Sequence, residues 1–217
     1  MANRLALFDC DGTLVDSQRS IFLCVEDAFA RAGLPPPDRL AARRVVGLSL
    51  VPAMQMLMPD AHTDLHIQLA EDYKTAFQRL RGSGLVDEPL FEGIAETLDA
   101  LEADGWMLGV ATGKSDRGLD LCLRHHGLRE RFVTLQTADR HPSKPHPSMV
   151  REAMAEAAAR PATTVMIGDT SFDMAMGVAA RARALGVDWG YHPGHELIAA
   201  GAFHVATHPG ELLEAMQ

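Results

Sequence analysis

With 217 residues, the chain can form one substantial α/β domain, or a core carrying a smaller companion. Its 47 % hydrophobic and 23 % charged residues are ordinary for a globular protein and exclude disorder as the starting assumption. The 29 acidic against 20 basic residues give a net charge of −9, which argues against a nucleic-acid binder; an anionic ligand would need a metal ion or a few placed cations.

At the N-terminus, Met1-Ala2-Asn3-Arg4 leads straight into a short apolar run, so no secretory signal is expected. No apolar stretch approaches the roughly 18–20 residues that cross a bilayer, so no membrane partner is expected. Cys10, Cys24 and Cys122 are scattered, without CxxC spacing. They predict neither disulfides nor a zinc site, and a reducing cytoplasm as the location.

Leu5-Ala6-Leu7-Phe8 reads as a buried strand that ends in Asp9-Cys10-Asp11-Gly12-Thr13. In open α/β sheets the C-terminal edge of such a strand is where ligands bind. The texture then changes between Asp16 and about Leu85. Ser20–Ala32, Arg39–Val46, Val51–Met58 and Leu65–Leu80 carry helical spacing, and no strand signal interrupts them. Gly82-Ser83-Gly84 and Pro89 mark the return. Further helices are predicted over Gly93–Asp104 and Ser148–Ala159. Further strands are predicted at Trp106–Ala111, near Phe132–Leu135, at Thr163–Ile167 and near Ala182–Val187, about five in all. This alternation predicts an α/β fold: a Rossmann-like, doubly wound parallel sheet over 1–16 and 86–217, with an all-helical cap domain inserted over 17–85.

Four loops at one sheet edge carry chemistry. The Asp9 carboxylate can attack phosphorus, and Asp11 is placed to protonate the leaving alkoxide and then activate water. Gly12 permits the tight turn. Thr112-Gly113-Lys114-Ser115 offers a hydroxyl and helix N-terminal N–H groups to phosphate oxygens. Lys144, ahead of Pro145, can neutralise a phosphate. In Gly168-Asp169-Thr170-Ser171-Phe172-Asp173, Asp169 together with Asp9 and a backbone carbonyl makes an oxygen-rich site suited to Mg²⁺, and Asp173 can orient it. Ordinary helix capping explains the Thr112 and Asp169 loops singly, and a solvated loop lysine explains Lys144. It does not explain their joint order behind the DxDGT segment.

That order resembles the haloacid-dehalogenase superfamily, in its phosphoglycolate-phosphatase-like branch with a helical cap after the first motif. The likeness runs through Trp189-Gly190-Tyr191 to Glu211-Leu212-Leu213. It implies that Asp9 is the nucleophile and a Mg²⁺ ligand, and that Asp11 is the acid–base and a main-chain metal ligand. It further implies that Thr112 and Lys144 bind the phosphoryl group, with Gly12 and Gly113 beside them, and that Asp169 and Asp173 complete the metal motif. The implied activity is Mg²⁺-dependent hydrolysis of a small, phosphoglycolate-like phosphomonoester through an aspartyl-phosphate, by a monomer or homodimer. A phosphosugar mutase resembling β-phosphoglucomutase, or a catalytically idle phosphate-binding regulator, stays open. Dehalogenases of the superfamily lack a carboxylate at the position of Asp11. Phosphonate-cleaving relatives need a Schiff-base lysine in the cap, where only Lys74 occurs. In Arg43-Arg44-Val45-Val46-Gly47-Leu48-Ser49, Arg44 or Arg43 could meet a second anionic group of the substrate; a solvated basic helix face is the alternative. Strand alternation should turn Cys10 away from both aspartates.

Overall fold

Leu5, Ala6, Leu7 and Phe8 are all fully buried, so the strand that contains them must be covered on both faces. In the computed structural model, which describes residues 2–217, that strand is β1 (Asn3–Phe8). Its alternation sorts the core. Leu5 and Leu7 pack in one cluster with Met149, Val150 and Ala153, whereas Ala6, Phe8 and Cys10 pack in another with Ile94, Leu98, Leu119 and Leu123. Cys10 therefore does turn into the core.

After β1 the chain forms α1 (Gln18–Arg31), α2 (Arg39–Arg44), α3 (Leu50–Leu57) and α4 (Thr63–Gly82). These helices and the turn after α2 bury a further apolar cluster, with Ile21, Val25, Phe29, Val46, Met54 and Leu69 at its centre, which Tyr191 joins from the core. The chain leaves and returns through a paired ribbon. Val15 bridges Leu90 antiparallel, the Asp16 N–H donates to the Pro89 carbonyl at 2.8 Å, and the Phe91 N–H donates to the Leu14 carbonyl at 3.1 Å.

The remainder alternates: α5 (Ile94–Ala103), β2 (Trp106–Thr112), α6 (Asp116–His125), β3 (Phe132–Thr137), α7 (Ser148–Glu156), β4 (Ala159–Gly168), α8 (Ser171–Ala179), β5 (Arg183–Val187), α9 (Gly194–Ala199), β6 (His204–Ala206) and α10 (Leu212–Met216). The six strands lie in the order β3-β2-β1-β4-β5-β6, and every pairing is parallel. This is the doubly wound arrangement, and its crossover point falls between β1 and β4.

Two expectations need correction. The helix expected to reach Ala159 stops at Glu156, because Ala158 takes a positive φ of 49° and β4 already begins at Ala159. A sixth strand, β6, joins the edge; with three residues it is too short to show a period-2 signal. Among the described residues no helix is long and apolar enough to cross a membrane.

Candidate active site

The register of the central strands gathers the chemistry. Phe8 lies beside Val110 on one side and Ile167 on the other, so Asp9, Thr112 and Asp169 all emerge at one edge. The Asp9 N–H still donates to the Ile167 carbonyl at 2.9 Å, which fixes Asp9 against the end of β4.

Asp9, Asp169 and Asp173 are fully buried, and each offers a carboxylate oxygen within 4.8 Å of the others. Lys144 is buried with them; its ammonium lies 2.9 Å from Asp9 and 2.7 Å from Asp173. Three carboxylates facing one ammonium leave an excess of two negative charges in a space without water access. Burial, partly offset by Lys144 and reinforced by Asp173, pushes the Asp9 carboxyl up to about 7. Burial, with the charges of Asp9 and Asp173, holds Asp169 well above the usual carboxylate range. Burial pulls the Lys144 ammonium down, but Asp173 and Asp9 outweigh it and raise it, so the lysine stays charged. Asp9 Oδ2 is buried without a hydrogen-bond partner. A divalent cation bound by oxygen ligands would fill that orphaned valence and cancel the excess charge, so these residues fit one.

Local structure aims each ligand. Asp169 accepts from Thr13 Oγ1 at 2.7 Å and from the Tyr191 N–H at 2.9 Å. Gly12 and Gly190 let the backbone close in on it. A Cβ at Gly12 would lie 2.2 Å from Asp169 Oδ2, and one at Gly190 would lie 2.2 Å from Asp169 Cβ. Gly12 also has a φ of 85°, which an L side chain rarely adopts. Trp189 Nε1 donates to the Thr13 carbonyl at 3.1 Å and pins this loop. Asp173 sits in a capping box at the start of α8, where its Oδ2 accepts from Thr170 Oγ1 at 2.6 Å; its other oxygen is left for Lys144.

Asp11 stands apart from the carboxylate cluster. Its Oδ1 accepts from Ser17 Oγ and lies 2.9 Å from Lys114 Nζ. Lys114 also reaches Glu88 at 2.6 Å, and Glu88 pairs with Arg81 at 2.9 Å. Burial works to raise Glu88, but Lys114 and Arg81 outweigh it and hold the carboxyl below its usual range. Lys114, Glu88 and Ser17 are site residues that sequence reasoning missed. Ser17 has the position and chemistry of an α1 N-cap, yet its hydroxyl caps nothing and serves Asp11 and Tyr191 instead. Lys114 stood inside a noted loop without a role. Glu88 had no local signal at all.

The helical segment sits directly on this edge. A Cβ at Gly113 would come within 2.7 Å of the Leu48 carbonyl oxygen, and one at Gly47 within 3.9 Å of Asp9 Oδ2. The Ser143 hydroxyl receives the Ser49 N–H at 2.9 Å. Arg44, expected to face a second anionic group of the substrate, is engaged elsewhere: its guanidinium bonds both Glu196 oxygens, at 2.9 and 2.7 Å. Arg43 donates to the Gly190 carbonyl and stands 6.0 Å over the Tyr191 ring. Both arginines thus tie the helical segment to the core. Beside them, between α1, α3, α4, the Gly113–Ser115 loop and the start of α6, lies a cavity of about 760 Å³ that reaches Asp11 and Lys114.

Comparison with known proteins places this geometry. Residues 6–187 match the family described as haloacid dehalogenase-like hydrolase. The chain is 36 % identical to "Probable phosphatase IndB" of Dickeya dadantii, over 90 % of this chain and 86 % of that protein. It is 27 % identical to a phosphoglycolate phosphatase of Vibrio vulnificus, over 98 % of this chain and 96 % of that one. A haloacid dehalogenase-like family hydrolase from Streptococcus pneumoniae shares the fold, with a TM-score of 0.86 at 23 % identity and 99 % of each chain covered. The chain belongs to the haloacid dehalogenase-like hydrolase family.

Proposed function

We propose that the protein is a Mg²⁺-dependent phosphatase that hydrolyses a small phosphomonoester through an aspartyl-phosphate on Asp9. The observation that carries this reading is the buried set of three carboxylates facing one lysine at the sheet crossover. The phosphatase names of the relatives support it.

In this reading Asp9, the Asp11 carbonyl and Asp169 hold Mg²⁺, with Asp173 in support. When bound, the ion supplies two positive charges that remove the repulsion between the nucleophile and the phosphoryl anion. The Asp9 carboxylate attacks phosphorus, the bond from phosphorus to the ester oxygen breaks, and Asp11 passes its proton to the departing alkoxide. Asp11 then takes a proton from a water whose oxygen attacks the phosphorus, and the bond to Asp9 breaks to release inorganic phosphate. Thr112 and the N–H groups around Gly12 and Gly113 receive the phosphoryl oxygens, and Lys144 holds Asp9 and Asp173 in place. Residues 17–85 serve as a cap that shields the phosphoryl group from water while it is transferred.

The test is hydrolysis of p-nitrophenyl phosphate by protein stripped of metal with a chelator. Turnover is expected to vanish on stripping and to return with millimolar Mg²⁺. Undiminished turnover in the chelator would contradict the proposal.

A further inference from the structure

Resting on the phosphatase reading, we infer that the preferred substrate carries a ring-sized, largely apolar alcohol, not a two-carbon acid such as glycolate. The cavity beside Asp11 is where the leaving group must lie, because the proton that releases it comes from that carboxylate.

The cavity is too large and too apolar for glycolate. At a water-like ~30 Å³ per heavy atom, glycolate would fill roughly a fifth of it. A volume of about 760 Å³ lies in the range of pockets that enclose ring-bearing ligands. Met54, Leu57, Tyr73 and Phe77 contribute apolar lining. The Tyr73 and Phe77 rings lie 6.0 Å apart and tilted by 39°, an aromatic corner suited to another ring.

The cations around the cavity point the same way. A glycolate carboxylate next to Asp11 would need an uncommitted positive charge. Lys114 is held by Asp11 and Glu88, Arg81 by Glu88, and Lys74 by Glu71 at 2.7 Å. Lys114 and Arg81 also lie 5.5 and 5.4 Å from the Phe77 ring centre, so the aromatic wall is braced against the group that holds Asp11. Of the cations lining the cavity, Arg117 has no carboxylate partner among the described residues, and it is exposed at the start of α6. The interior therefore offers surface for an apolar ring and no free partner for a carboxylate near the reacting bond.

The test compares benzyl phosphate, ethyl phosphate and 2-phosphoglycolate with the intact protein and Mg²⁺. All three release an alkyl oxygen, so differences report binding of the alcohol more than its reactivity. Burying the ring should raise kcat/KM for benzyl phosphate on the order of 50-fold above either small ester, mostly through KM. In Phe77→Ala, KM for benzyl phosphate should rise about tenfold and KM for ethyl phosphate by much less. The wild-type comparison stands without that variant. If 2-phosphoglycolate equals or exceeds benzyl phosphate, the inference is wrong while the phosphatase reading survives. If no ester is hydrolysed in Mg²⁺, the phosphatase reading falls and the inference falls with it.

Discussion

Asp9→Asn is expected to abolish turnover of every phosphate ester and, at the same time, to stabilise the metal-free protein. The first effect follows from the loss of the attacking oxygen; an amide does not form the acyl-phosphate. The second follows from electrostatics. Asp9 is one of three buried carboxylates sharing one lysine, and its carboxyl is pushed from 3.8 up to about 7. An acid with a raised folded-state value costs stability above its unfolded-state value, and the cost is complete above the folded one. The penalty is absent below about pH 4 and full above about pH 7, where it reaches the order of 4 kcal/mol. The asparagine amide keeps an oxygen for the Cys10 N–H, which now donates to Asp9 Oδ1 at 2.6 Å, and removes the charge. Calorimetry in a chelator should place the variant at least about 5 °C above wild type at pH 8, with the gap closing towards pH 4. Mg²⁺ should raise the wild type and leave the variant nearly unchanged. A variant melting at or below wild type at pH 8 in the chelator would show that the buried charge is not in excess.

Lys144→Met is the opposite case and should be the most damaging single change in the site. The ammonium is fully buried against Asp9 and Asp173, and methionine replaces its stem without its charge. Removing one partner of a buried pair leaves the other uncompensated, at a cost of about 3–5 kcal/mol, or roughly 10 °C or more for a domain of this size. The loss should be greatest at high pH and shrink in acid, where the carboxylates are protonated. Added Mg²⁺ should recover part of it, because the ion opposes the same excess of negative charge. Activity should be lost with the ion present. A melting point within about 2 °C of wild type at pH 8 would remove Lys144 from the account.

The parts of this molecule that were legible in the sequence are those written in local chemistry. Leu5–Phe8 read as a buried strand, with the aspartates that follow it at its ligand-binding edge, and β1 is that strand, covered on both faces. The helical run between Asp16 and Leu85 was legible because four apolar periodicities follow one another without a strand between them. What stayed hidden depends on residues far apart in the chain. Glu88 lies in a nondescript return segment, and its purpose appears only when Lys114 and Arg81 arrive beside it. Ser17 looks like a helix cap, and its diversion to Asp11 is set by tertiary packing. Arg44 looked free to meet a ligand; Glu196, about 150 positions later, occupies it. The turn at Ala158 and the three-residue β6 were missed because backbone conformation at one residue, and pairing at a sheet edge, leave no periodic trace.

The claim on which the rest depends is that Asp9 becomes covalently phosphorylated. Protein turning over benzyl phosphate with Mg²⁺ should be quenched in acid and digested, and the peptide that spans Asp9 analysed by mass spectrometry. One added phosphoryl group is expected on that peptide, located at Asp9 and absent from Asp9→Asn. A phosphoryl group on any other residue would contradict it. So would an Asp9 peptide that stays unmodified in protein quenched while it is releasing phosphate.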